Sequence, residues 1–177
     1  MPRRLSFARG ATVPPVPAID QPSSAPGTTT PHPSSSEVQR AVEPVIRHLA
    51  SVQLGCDLAP RRIALPGGAH VNVDGASESP ATLVEIYARV GVLRGGQVNK
   101  VAEDILKLAT VRRLSEPWAR ARLAMVFASV EARTSIRGWL DLAAESLSVE
   151  MVVVDLDQQT RDRLVAAQTR QVMSNVS

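Results

Sequence analysis

The chain has 177 residues, 20 Lys+Arg against 17 Asp+Glu for a formal net charge of +3, and a single cysteine. One cysteine excludes an intrachain disulfide and a cysteine-based metal cluster, and 3% aromatic residues leave little for a platform on which single-stranded bases stack. No apolar run reaches the roughly 18 residues of a membrane span, and Ser6, Arg9, Gly10 and Pro14 interrupt any signal-peptide core after Arg3 and Arg4. The chain therefore reads as cytoplasmic, with no membrane partner.

Residues 1–35 hold eight of the thirteen prolines, with Thr28, Thr29, Thr30, Ser34 and Ser35 among them. Such a stretch buries too little apolar surface to offset the entropy of ordering it, so it is expected to be a disordered tail. Arg3, Arg4 and Arg9 against Asp20 give this tail two of the chain's three net positive charges. The remaining domain, residues 36–177, is nearly neutral, and net charge is no argument for nucleic-acid binding. Its length suits one core.

From Val38 the apolar residues Val42, Val45, Leu49 and Val52 recur at helical spacing. Pro44 lies in this run, so the helix either kinks there or begins near Glu43 with proline in its first turn. Three strands are expected next: 62–65, stopped by Pro66-Gly67-Gly68; 70–74, stopped by Gly75; and 81–90, stopped by Gly91. A helix over 97–111 has Val98, Val101, Ala102, Ile105, Leu108 and Ala109 on one stripe and Gln97, Lys100, Asp104 and Lys107 on the other. A buried strand over 121–128 follows. Ser129 then caps a helix with Ile136, Leu140, Ala143, Ala144 and Leu147 on its face. A strand over 150–156 leads to a last helix capped by Asp157. The later strands are continuous apolar runs, which predicts an α/β fold with a mixed central sheet covered by helices on both faces.

Alternation sets His70, Asn72 and Asp74 on one face of the second strand, and Leu83, Glu85, Tyr87 and Arg89 on one face of the third. If these strands pair, Asp74 and Glu85 meet near the open end of the meander. Two carboxylates there repel unless a cation lies between them, and hard oxygen donors select Mg²⁺ or Mn²⁺. Lys100 and Lys107 are the chain's two lysines, seven residues apart on one helix face. In a chain that otherwise uses arginine, they suggest a need for a compact point charge.

Helix, three-stranded meander, helix, strand, with Val73-Asp74-Gly75, then Leu83-Val84-Glu85-Ile86-Tyr87-Ala88-Arg89, then Gln97-Val98-Asn99-Lys100, resembles the PD-(D/E)XK nuclease superfamily. The resemblance spans roughly residues 37–128. It implies a restriction-endonuclease-like αβββαβ core, followed here by an extra αβα, and a metal-dependent nuclease acting on DNA, with a homodimer compatible. It assigns the metal, Mg²⁺ or Mn²⁺, to Asp74 and Glu85, with Glu43 and Gln97 in supporting positions. The family's lysine two residues after the glutamate is Tyr87 here, which cannot supply a positive charge. Lys100 is the expected substitute and Arg89 the weaker one, because its pKa is too high for proton exchange. If neither serves, the domain is a catalytically inactive relative that binds nucleic acid or protein.

Plainer roles compete for these residues. Asp74 before Gly75 suits a turn, Glu43 an exposed helix position, His70 an edge-strand polar residue, and the stripe from Gln97 to Lys107 a solvated helix face. Cys56 reads as a small buried filler, and Trp118 and Trp139 as core or interface anchors.

Overall fold

The computed structural model describes residues 35–174. The proline-rich segment expected to be disordered lies outside the described residues. The elements in order are α1 (Ser35–Leu54), β1 (Ala59–Ala64), β2 (His70–Glu78), β3 (Ala81–Tyr87), α2 (Gly96–Leu114), β4 (Arg122–Phe127), α3 (Val130–Thr134), α4 (Trp139–Ser146), β5 (Val149–Val153) and α5 (Gln158–Ser174).

The described strands form one sheet in the order β1-β2-β3-β4-β5. β1, β2 and β3 pair antiparallel, whereas β4 pairs parallel with β3 and with β5, so the sheet is mixed. Alternation along the central strands divides the core into two layers. Leu83, Leu123, Met125 and Phe127 pack with Val101, Ile105, Leu108 and Val111 of α2 and with Ile136, Leu140 and Ala144. Val84, Ala124, Val126 and Val152 pack on the other side with Val42, Ile46, Ala50 and Leu54 of α1 and with Leu164 of α5. Burial on both faces explains the continuous apolar runs in β4 and β5.

Several boundaries differ from the sequence expectation. α1 runs unbroken through Pro44; its buried stripe of Val42, Ile46 and Ala50 carries the helix past a residue that cannot donate an N–H. β1 begins three residues early, at Ala59, with a register shift between Ala59 and Arg61. β3 ends at Tyr87, so Arg89 lies beyond the strand, and β5 ends at Val153. The expected helix after Ser129 is two helices, separated at Gly138, whose φ of 62° is left-handed backbone that favours glycine. Ser129 does cap the first of them, accepting the Ala132 N–H, and Asp157 accepts the Thr160 N–H at the start of α5.

β2 does not stop at Gly75 but continues to Glu78. Gly75 instead permits a close approach: a Cβ there would lie 2.7 Å from Val84 Cγ2 and 3.3 Å from Leu58 Cβ. Asp74 is thus a strand residue, and the turn role is excluded. His70 is exposed and Cys56 buried, as the sequence suggests. Trp118 is buried beneath the Arg61 guanidinium, 5.4 Å from the ring centroid, whereas Trp139 is 72% exposed.

Candidate functional site

A cleft of about 420 Å³ opens where β2 and β3 part, lined by Arg40 and Glu43 of α1, Asp74 of β2, the segment from Glu85 to Arg89, and Lys100, Asp104 and Lys107 of α2. The β2–β3 ladder ends at the Gly75–Val84 pair. One step further, the register would set Asp74 opposite Glu85. There the Asp74 side chain replaces the missing strand partner, its Oδ2 accepting the Ile86 N–H at 2.8 Å. Backbone divergence and carboxylate placement are therefore one feature.

α1 is tied to the same point. Arg47 donates from Nε to the Asp74 carbonyl at 2.6 Å and from its second guanidinium nitrogen to Glu43 Oε1, also at 2.6 Å. Glu43 lines the cleft, held by Arg47, a residue to which the sequence alone gave no role.

Glu85 is the most buried polar group of the site, 1% exposed on the α2 side of β3. Its Oε2 receives Lys107 Nζ at 2.8 Å. Its Oε1 is buried with no hydrogen-bond partner, alone in this among the buried side-chain polar atoms of the described residues. Burial first, then the neighbouring negative charge of Asp74, pushes the Glu85 carboxyl up from the ordinary carboxylate range to about 9, against the pull of Lys107. Burial lowers Lys107, but Glu85 and Asp104 outweigh it and hold the ammonium above its usual pKa. The two groups are coupled: an ionised Glu85 holds the Lys107 ammonium, while burial and Asp74 oppose that ionisation.

The polar stripe of α2 is not a fully solvated face. Asp104 is 5% exposed and accepts from Lys100 Nζ at 2.5 Å and from Lys107 Nζ at 3.2 Å. Lys100 is the outer lysine, its side chain 54% exposed, and Lys107 the inner one at 24%. The lysine in contact with Glu85 is thus Lys107; Lys100 lines the same cleft one ion pair further out. Tyr87, two residues after Glu85, is buried, with its ring tilted toward Phe127 at 6.3 Å between centroids. Arg89 lines the cleft from the segment after β3. Gln97 is not among the lining residues; its Oε1 accepts the Arg94 N–H at the start of α2.

That segment after β3 is held by three side chains. Gln168 of α5 accepts the Val90 N–H and donates to the Val90 carbonyl, both at 2.9 Å. Ser129 accepts the Gly91 N–H at 3.2 Å and Ser135 the Leu93 N–H at 2.9 Å.

As a cation site, the cleft offers two close carboxylates, one with a buried oxygen that lacks a partner. No three His, Cys, Asp or Glu side chains group as metal ligands among the described residues. That donor set does not suit a cation needing an all-protein cage. It does fit Mg²⁺, which keeps several waters and is commonly held by one or two carboxylates together with substrate phosphates. Among the described residues, no helix is long and apolar enough to cross a membrane. Comparison with known protein families, curated proteins and solved structures finds no match to this chain.

Proposed function

We propose that the cleft is a divalent-metal centre for hydrolysing phosphodiester bonds of DNA. The observation that carries this reading is the buried, unpartnered Oε1 of Glu85 beside the Asp74 carboxylate. Lys107 pairs with one oxygen of Glu85, so the other, buried beside a like charge, is the position a further cation would satisfy. Asp74 and Glu85 would hold Mg²⁺ or Mn²⁺, which when bound supplies an activated water and neutralises charge on the phosphoryl group. Arg40 and Arg89, at the cleft wall, suit the flanking phosphates, contacts that position a duplex without reading its sequence. The order helix, meander, helix, strand agrees with the restriction-endonuclease-like core that the resemblance implies, and the choice of DNA rests on that resemblance.

A second reading, a nucleic-acid-binding or protein-binding module of the same architecture without chemistry, is favoured by Tyr87 at the family's lysine position. The discriminating experiment is incubation of supercoiled and linear DNA with the full chain in Mg²⁺ or Mn²⁺, beside Glu85→Gln. Metal-dependent cleavage that Glu85→Gln abolishes supports the nuclease. Absence of cleavage and of any calorimetric signal for either metal favours the module.

A further inference from the structure

Four charged side chains run in single file from solvent to the floor of the cleft: Lys100, Asp104, Lys107 and Glu85. Burying a carboxylate is costly unless it is paired, and Asp104 is paired twice. Its Oδ1 takes both Lys100 and Lys107. Lys107 in turn spans two carboxylates, 3.2 Å from Asp104 and 2.8 Å from Glu85. A lysine has a long, flexible stem, and two fixed anions restrict its ammonium to one location. That location is against Oε2 of Glu85, which leaves Oε1 as the unpartnered oxygen.

The position two residues after Glu85, on the same strand face, carries the uncharged Tyr87. The positive charge beside Glu85 comes instead from a different element, more than one helical turn past Lys100. Lys100 does not compete for that place, because its ammonium is paired with Asp104 and its side chain is largely exposed.

We propose that Lys107 is the ammonium of the hydrolytic centre, that Asp104 is the positioning residue that aims it, and that Lys100 balances the charge of Asp104. This rests on the metal-dependent hydrolysis proposed above. In that reaction a bond forms between the water oxygen and phosphorus as the bond from phosphorus to the sugar oxygen breaks. The elements of water are divided between the two products, and no electron acceptor is needed. Lys107 gives up no proton in this scheme. Its charge would face the negative charge that builds on the phosphoryl oxygens, where a cation held in place by two anions needs no reorganisation.

The test measures Mg²⁺-dependent cleavage of plasmid DNA by the full chain, with kcat and KM determined separately and thermal unfolding recorded for each variant. Lys107→Met is expected to lower kcat by on the order of 10²-fold or more with little change in KM, as removal of a group acting on developing charge does. Lys107→Arg should retain more activity than Lys107→Met, and Lys100→Met should lose less. Asp104→Asn should lower kcat with KM held at a temperature where thermal unfolding shows the variant fully folded, with part of the loss restored in Asp104→Glu. Should Lys107→Met not fold, Lys107→Arg and Asp104→Asn carry the test, and wild-type kcat in both overturns the proposal. Wild-type cleavage that survives Lys107→Met, or that Lys100→Met damages more, overturns it while leaving the nuclease standing. Absence of cleavage by the wild type with either metal removes the nuclease itself, and this assignment with it.

Discussion

The Asp74 carboxylate stands in for a strand: its Oδ2 accepts the Ile86 N–H at 2.8 Å at the first step where β2 no longer pairs with β3. One side chain thus has two duties that substitution can separate. Asp74→Asn keeps an acceptor for Ile86 and removes the charge, so it should fold like the wild type and lose the Mn²⁺ signal in calorimetry. Asp74→Ala also leaves the part-buried Ile86 N–H without this partner, so it should be less stable than Asp74→Asn, by about 1 kcal/mol. Equal melting temperatures for the two variants would show that the hydrogen bond contributes nothing.

Glu85 makes stability depend on pH with a definite sign. Its carboxyl is raised to about 9 in the fold, so the folded chain holds a proton that the unfolded chain releases near 4.5. The associated stability is fully present below pH 4.5 and is lost progressively as pH rises toward 9. Glu85→Gln has no such proton to lose. Relative to wild type it should gain melting temperature as the buffer moves from pH 5 to pH 9 without metal. A difference that stays constant across that range would contradict the assignment.

The same proton links pH to metal. A cation that displaces it binds more tightly as pH rises, approaching tenfold per unit between neutrality and the Glu85 pKa for one proton released. Calorimetry of Mn²⁺ binding in two buffers of different ionisation enthalpy measures the protons released. A value near zero at pH 7 would count against Glu85 as a ligand.

Gly75 should tolerate no side chain. An added Cβ would lie 2.7 Å from Val84 Cγ2 and 3.3 Å from Leu58 Cβ, both in buried residues. Gly75→Ala is expected to destabilise the fold by about 1–3 kcal/mol through overpacking. It should also disturb the adjacent Asp74, lowering metal affinity, whereas Gly67→Ala, with open space around its Cβ, should leave metal affinity unchanged.

Arg40 offers a test confined to nucleic-acid binding. It is exposed and lines the cleft wall. If it meets a phosphate, Arg40→Ala should weaken binding alike across DNA sequences and reduce the slope of log affinity against log salt by about 1. An unchanged slope would remove Arg40 from the interface.

Much of the fold was legible because this chain punctuates itself. Pro66-Gly67-Gly68 separates the first two meander strands, although Gly75 lies within the second and the third ends at Tyr87, short of Gly91; the apolar run into Phe127 announces a strand buried on both faces. Alternation correctly set Glu85 on the face shared with Leu83 and Tyr87, toward α2. Which lysine meets Glu85 was not legible. Lys100 and Lys107 are two turns apart on one stripe, so periodicity gives them the same direction. Choosing between them depends on how far α2 has slid along β3, a result of packing Val101, Ile105 and Leu108 against the sheet. Asp104 illustrates the same limit: its spacing to both lysines is visible in the sequence, but its burial is not. The break at Gly138 depended on a backbone angle that the apolar pattern does not encode.

The amide of Gln168 mimics a peptide unit, offering Val90 one donor and one acceptor across 78 positions of sequence. The wall of the cleft is consequently finished only when α5 arrives. A ribosome-bound chain that has emerged through β5 already has every strand of the sheet, yet the backbone beside Arg89 still lacks its fastener. Anything attached after α5, such as a purification tag or a fused domain, pulls on the same fastener from behind.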